Sequence, residues 1–347
     1  MKYIGIDYHK RYLVATVMDE KGKIIRKDKV RTEGSTIQRY FREVTNGEEA
    51  KAVMEACWNW AYLYDMIEPI IGDVVLAHPY KTRAIAEARI KTDSIDSETL
   101  THLLRADLIA EAYAPSSETR QVKDILRYRA ALKQLSTSIK NRVHIILDRN
   151  EIEEEEFKAL SDKFGKKGKE IMKRMKLKGR DGSILRDYLE ILELIEKKIK
   201  KIDGWIKEIG KEDKVVQLLK TIPGIGDFIA LLLRYEIDDI GRFLSSKKLC
   251  SYGGMVPSTY SSGGKTYHGR ITKQGNRWIR WALVQSAHTA KRTDESLGAY
   301  YRKIKYRAGA NAATMALARK LLEIVYKVWK EERPYYSKPV AVALTCL

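Results

Sequence analysis

Three strand-like runs follow one another at the start of the chain with no room for a helix between them. Residues 3–9 alternate, residues 12–19 are rich in Val, Ala and Thr, and residues 24–31 follow a Lys21-Gly22-Lys23 turn. Runs this close pair as antiparallel neighbours, and Gly22 supplies the positive φ that a tight hairpin loop over 20–23 needs. A helix over 35–44 comes next, then a strand over 51–55, a helix over 60–71, a strand over 74–77 and helical segments from Tyr80 on. The order β-β-β-α-β-α-β-α predicts a mixed sheet, three antiparallel strands extended by parallel crossovers, with helices flanking it.

That is the strand order of the ribonuclease H-like fold, and it makes residues 1–115 an α/β domain. Pro115-Ser116-Ser117-Glu118 reads as a linker and helix start. Residues 116–215 read as all-α and highly charged. Leu185, Tyr188, Leu192, Ile195, Ile199, Ile202, Ile206 and Ile209 are spaced alternately by three and four, the pattern of a coiled-coil seam. The seam pairs either within the chain, against the helix around Leu132, Leu135, Ile139 and Ile146, or between chains. An ordinary core helix shows the same spacing. The acidic run 153–156 reads as a solvated loop or helix start. From Val216 the composition changes, and residues 216–347 read as a mostly helical C-terminal domain. Pro223-Gly224-Ile225-Gly226 between two helices resembles a helix-hairpin-helix, whose glycines let a phosphate approach the backbone; a plain tight turn reads alike. Residues 251–280 are glycine-rich and loop-like, and basic, aromatic helices follow over 276–291, 296–307 and 312–330.

The charge is unevenly placed along a chain of net charge +19. Residues 1–100 carry 16 basic and 16 acidic side chains, whereas residues 251–347 carry 17 basic and 5 acidic. A basic end on a balanced body is suited to a polyanion, and nucleic acid is the commonest one. Arg277, Trp278, Arg280, Lys291 and Arg292 are the side chains expected to contact phosphates or stack on bases there. A hydrophobic fraction of 44% excludes a wholly disordered chain. No apolar run approaches the roughly 20 residues of a membrane span, and no cleavable signal is visible, so no membrane partner is expected. Three scattered cysteines, Cys57, Cys250 and Cys346, form no CxxC and point to a reducing, cytoplasmic setting without disulfides or zinc.

Four carboxylates stand where strands and a helix end. Asp7 interrupts the first strand on the face opposite Ile4 and Ile6. Glu55 ends the strand Ala52-Val53-Met54, and Asp93 and Asp96 share one helix face. In this sheet order the ends of the first and fourth strands are neighbours, and a following helix brings its acids over them. Converging carboxylates repel one another unless a cation lies between them, and hard oxygen ligands suit Mg²⁺ or Mn²⁺. Two such ions about 4 Å apart hold both oxygens of a phosphoryl displacement. Taken singly, each acid also reads as a cap or surface residue, with Asp93 capping its helix. His9 and His78 read either as neighbours of the cluster or as structural residues. Ser262 sits in the glycine-rich stretch with Lys265, Arg270 and Lys273 nearby. No Ser-His-Asp arrangement accompanies it, and on local sequence it reads equally as a polar loop residue.

Ile4-Gly5-Ile6-Asp7, Met54-Glu55-Ala56, Lys91-Thr92-Asp93-Ser94-Ile95-Asp96, Pro223-Gly224-Ile225-Gly226, Ser261-Ser262-Gly263-Gly264-Lys265 and Gly269-Arg270-Ile271-Thr272-Lys273 come in an order that is specific. Together they resemble the DEDD insertion-sequence transposases of the IS110 family, relatives of the Piv DNA invertases, over nearly the whole chain. The resemblance implies a RuvC-like N-terminal domain, a helical coiled-coil insert and a C-terminal transposase domain. It implies that Asp7, Glu55, Asp93 and Asp96 bind the metal and that Ser262 is the nucleophile, with Ser261 leaving that choice open by one residue. It also implies a covalent phosphoserine link to DNA and guidance by a structured noncoding bridge RNA that pairs with donor and target DNA. Tetramers in which the metal site and the serine come from different subunits follow from the same resemblance, in the cytoplasm at the nucleoid. Two other functions use the same residues differently. A Holliday-junction-type endonuclease would employ water in place of serine, and a noncatalytic nucleic-acid-binding protein would use the acids as caps.

Overall fold

A computed structural model describes residues 1–85, 92–152 and 154–337; Lys91, Glu153 and Cys346 lie outside the described residues. The chain divides into two compact units, Met1–Pro115 and Ser116–Leu347.

The first unit contains β1 (Lys2–Tyr8), β2 (Tyr12–Met18), β3 (Ile24–Arg31), α1 (Gly34–Thr45), β4 (Ala50–Glu55), α2 (Trp60–Ile71), β5 (Gly72–Ala77), α3 (Pro79–Ile85) and α4 (Asp93–Arg105). The sheet order is β3-β2-β1-β4-β5. β1 pairs antiparallel with β2, which pairs antiparallel with β3, while β1–β4 and β4–β5 are parallel. The mixed sheet follows the order expected from the sequence. Period-two alternation sends Ile4 and Ile6 to one face, where they are fully buried with Leu63 and Ile67 of α2 and Ile37 and Phe41 of α1. Each such side chain stabilises the fold by about 1.5–3 kcal/mol.

The opposite face carries α4. Val53, Val75 and Ala77 pack there against Leu100 and Leu104. Gly5 makes the close approach possible, because a Cβ at this position would stand 2.2 Å from the Ser97 carbonyl oxygen and 2.3 Å from Thr101 Oγ1. A buried polar layer seals the contact: Thr16 Oγ1 and Ser97 Oγ lie 2.8 Å apart, and Thr101 Oγ1 donates to the Ser97 carbonyl at 2.7 Å. The N-terminus of α4 is thereby carried over the end of β1.

The second unit contains α5 (Ser117–Arg149), α6 (Glu155–Lys158), α7 (Lys166–Arg174), α8 (Asp181–Lys211), α9 (Lys214–Lys220), α10 (Asp227–Ile237), α11 (Ser246–Tyr252), β6 (Pro257–Ser262), β7 (Lys265–Ile271), α12 (Arg277–Thr293) and α13 (Glu295–Lys330). Helix α13 is broken at Gly309, whose φ is 83°. One hydrophobic core runs from Leu126 in α5 to Trp329 in α13, so residues 116–215 and 216–337 share it.

The heptad pattern on α8 is satisfied within the chain. Leu185, Leu192, Ile195, Ile202 and Ile206 are buried, and Tyr188, Ile199 and Ile209 pack partly against the same core. Helices α5 and α8 lie antiparallel, pinned by Arg149 Nε donating to Asp181 at 2.7 Å and Arg129 Nε donating to Asp203 at 2.6 Å. Leu132, Ile139 and Ile146 face inward as expected, but Leu135 is exposed. Ser136 takes the inward position instead, one residue further round the helix.

Residues 251–280 are not the flexible loop that their glycines predict. Two strands form there, β6 and β7, joined at Gly263 (φ 56°) and Gly264 (φ 76°). Two consecutive positive φ values are those of a type I′ turn, so the glycines build a hairpin instead of loosening a loop. Gly224 also serves packing: a Cβ there would stand 2.4 Å from the Ser286 carbonyl oxygen of α12.

Candidate active site

The first strand ends in a cluster. Asp7, His9 and Asp93 each offer a ligand atom, all within 4.8 Å of one another, the only such group of three among the described residues. His9 Nε2 lies 3.0 Å from Asp7 Oδ2 and 3.4 Å from Asp93 Oδ1. Tyr12 donates its hydroxyl to Asp93 Oδ2 at 2.8 Å. Thr92, not Asp93, caps α4, its hydroxyl accepting from the Ile95 N–H. The Asp93 carboxylate is therefore free of capping duty and turns toward Asp7.

Electrostatics sets the two acids apart. Burial pushes the Asp7 carboxyl above the ordinary carboxylate range; His9 pulls it back, and Asp93 and Asp96 push it further up. The Tyr12 hydrogen bond holds Asp93 below its ordinary value, with His9 and Lys29 helping. Asp96 thus lies within electrostatic reach of Asp7 but outside the three-residue group. Glu55 also lies outside it and is exposed. It follows Met54, which is in register with Ile6, so Asp7 and Glu55 are successive residues on adjacent parallel strands. Cys57, pushed up chiefly by its burial, is raised further by the charges of both Glu55 and Asp7. His78 is not a member of the group. A divalent cation fits this donor set: two carboxylates and an imidazole converge, and a third acid raises the Asp7 carboxyl as a cation would reverse.

His9 and Tyr12 are the residues that sequence reasoning undervalued. The signal for His9 was its spacing: two residues beyond Asp7 on an extended chain, it returns to the same face. Tyr12 had no local signal, since its partner Asp93 lies on α4.

The serine hairpin is the second element. Ser262 and Lys265 are opposite one another beside the turn, Ser261 is opposite Thr266, and Tyr260 is opposite Tyr267. Ser261 Oγ and Thr266 Oγ1 lie 3.2 Å apart on one face, so Ser262 projects on the other. The base of the hairpin is tied to a buried polar network. Asn276 caps α12 with its side chain, gives its backbone N–H to the Tyr252 carbonyl at 2.7 Å, and donates Nδ2 to Glu236 at 2.8 Å. Glu236 is 1% exposed and accepts both forks of Arg127 at 2.9 and 3.1 Å, with Lys123 Nζ at 4.0 Å. Burial lowers the Lys123 pKa, and Glu236 opposes that shift. Nothing in the local sequence announces this network, because its members come from α5, α10 and the start of α12.

The expected nucleic-acid contacts divide in two. Lys265, Arg270, Lys273, Arg277 and Arg292 are exposed. Trp278 is half-buried, edge-on to Trp281 at 6.2 Å, with the Arg277 guanidinium 5.2 Å from its ring. Arg280 donates to the Gly253 carbonyl at 2.9 Å, and Lys291 Nζ stands 4.3 Å from the Tyr301 ring centre. The last three are engaged in the fold itself.

A mixed sheet with acids gathered at its strand ends is the frame of a DEDD transposase domain, and the model of that domain from IS110 elements matches residues 4–152. A second model, described as transposase IS116/IS110/IS902 family, matches residues 216–302. The chain belongs to the IS116/IS110/IS902 family of transposases, enzymes that act on DNA by phosphoryl transfer. It is 24% identical to the transposase for insertion sequence element IS1111A of Coxiella burnetii, over 96% of this chain and 91% of that one. It is 22% identical to a probable family 20 transposase of Pseudomonas aeruginosa, over 96% and 98%. A pilin gene-inverting protein of Moraxella bovis is 34% identical over 34% of this chain and 38% of its own. Among the described residues no helix is long and apolar enough to cross a membrane.

Proposed function

We propose that this transposase is an RNA-guided DNA recombinase that cuts and exchanges strands through a serine nucleophile and a divalent-cation site. The observation that carries the reading is the convergence of Asp7 and Asp93, distant in sequence, in one half-buried cluster with His9 at the end of β1. In this reading the first unit is a RuvC-like domain. Asp7, Glu55, Asp93 and Asp96 hold Mg²⁺ or Mn²⁺, with His9 and Tyr12 orienting the acids. The cation, when bound, neutralises charge on the phosphoryl group and favours the deprotonated nucleophile.

Ser262 Oγ attacks the phosphorus, an Oγ–P bond forms, and the P–O bond to the leaving deoxyribose oxygen breaks. That oxygen takes up a proton and leaves as a hydroxyl. The phosphoserine ester conserves the bond energy until the hydroxyl of another strand attacks it and releases the serine. Lys265, Arg270 and Lys273 hold the scissile strand, and Arg277 and Arg292 extend the basic surface, backed by Arg280, Lys291 and Trp278. A bridge RNA pairs with donor and target DNA. A dimer or tetramer combines the acids of one subunit with the serine of another, at the nucleoid.

Ser262→Ala is expected to keep nucleic-acid binding and to trap no covalent DNA adduct on denaturing electrophoresis, whereas Ser261→Ala still traps it. The reverse pattern would move the nucleophile by one residue. Adducts with both variants would remove the serine mechanism. Cleavage by the parent protein without any adduct would favour a hydrolytic, junction-resolving endonuclease. Binding with neither cleavage nor a cation requirement would favour a noncatalytic module.

A further inference from the structure

The hairpin carries more than its serine. Tyr260 and Tyr267 are directly opposite on β6 and β7, and alternation places them on the same face as Ser262 and Lys265. Ser261 and Thr266, joined by their hydroxyls, occupy the other face. The two tyrosines are 72% and 65% exposed, and neither packs against the core. Two large aromatic side chains opposite one another near the end of a hairpin are thus left mostly in solvent in the isolated chain.

Their neighbours state what they are suited to cover. Lys265 stands on the same face, Arg270 follows on β7 and Lys273 lies two residues beyond its end, all exposed. No acidic residue occurs between Asp239 and Asp294. An aromatic pair flanked by cations matches a polyanion that also offers flat π-surfaces, which is a nucleic-acid strand with unstacked bases. Because the pair is two residues from Ser262 along β6, a base stacked there belongs to a nucleotide adjoining the phosphate the serine meets.

We infer that Tyr260 and Tyr267 form a stacking platform for unpaired DNA bases next to the scissile phosphate. The inference rests on the reading of Ser262 as nucleophile for its location, and on the tyrosines alone for its chemistry. Duplex DNA would have to open at the cut to engage the platform, so the hairpin favours a melted or single-stranded cleavage site.

The test uses the full-length protein and a single-stranded oligothymidylate of twelve nucleotides with one central 2-aminopurine. Binding is expected to quench the probe's fluorescence, and to be tighter for this strand than for its blunt duplex. Tyr260→Ala and Tyr267→Ala are each expected to weaken strand binding by about tenfold and to abolish the quench. Tyr260→Phe and Tyr267→Phe keep the ring and are expected to retain both. Unchanged affinity and quench in the alanine variants would overturn the platform. So would loss in the phenylalanine variants, since hydroxyl contacts and not stacking would then be responsible. If the alanine variants weaken only the matching RNA strand, the DNA assignment fails. The readout is binding and not adduct formation, so a failed serine mechanism leaves this result interpretable, and a failed platform leaves the adduct assay standing.

Discussion

At the scale of single residues, the site is a set of opposed carboxylates. Asp7 is raised by burial and by its acidic neighbours, so its charge costs stability at neutral pH; Asp93 is lowered by Tyr12, so its charge contributes stability. The signs follow from linkage. A raised carboxyl binds its proton more readily in the folded state, so mild acidification through its folded pKa relieves the cost. A lowered carboxyl contributes stability above its unfolded pKa and loses it as pH falls through the folded pKa. Asp7→Asn is therefore expected to raise the melting temperature of the metal-free protein at pH 7 by about 2 °C, the shift that goes with roughly 1 kcal/mol or less. It should also abolish any further rise produced by Mg²⁺ or Mn²⁺. Melting curves with and without the cation decide this, and a lower melting temperature in both conditions would show that Asp7 is held chiefly by His9. The nucleophile choice belongs to the same scale. Two adjacent serines are chemically alike, but on a strand they face opposite sides, and only Ser261 is paired with Thr266.

At the scale of elements, the decisive contact is α4 on β1. Gly5 lies beneath Ser97 and Thr101, and their approach carries Asp93 and Asp96 toward Asp7. Gly5→Ala is expected to destabilise the protein by about 1–3 kcal/mol. Cation binding should weaken along with it, although no ligand is touched. Denaturant unfolding and cation titration on the same variant check the two parts. A full loss of stability with unchanged cation affinity would mean that α4 is positioned by other contacts. The hairpin shows how an element hides in its composition. Ser261-Ser262-Gly263-Gly264-Lys265 looks like a mobile loop because glycine frees the backbone, but two positive φ values in succession use that freedom to make a tight turn. The seam on α8 was legible from spacing. Its partner surface on α5 was legible apart from Leu135, because small rotations of a long helix decide which of two adjacent residues faces inward.

At the scale of the whole molecule, the two units have separate cores. Ile4, Phe41 and Leu63 belong to the first and Leu185, Leu232 and Leu321 to the second. Thermal or denaturant unfolding is therefore expected to proceed in two transitions instead of one. Fluorescence and far-ultraviolet circular dichroism should give different midpoints, since the tryptophans and the sheet are unequally shared between the units. A single coincident transition would mean that the units unfold as one.

The amino-acid sequence by itself determined the strand order of the first unit and the helical character of the second, because these depend on periodicity; of the four acids expected to converge, Asp7 and Asp93 meet, while Asp96 and Glu55 lie outside their group. The tertiary structure decided the rest. It alone brought His9 and Tyr12 to the acids, assigned Thr92 to the cap and left Asp93 available, and turned the glycine-rich stretch into a hairpin with distinct faces. It alone joined Arg127, Glu236 and Asn276 beneath that hairpin. The physical reason is range. Backbone preference and side-chain alternation act over a few residues and are written in local pattern, whereas a hydrogen bond or ion pair between distant segments exists only once packing has fixed their separation.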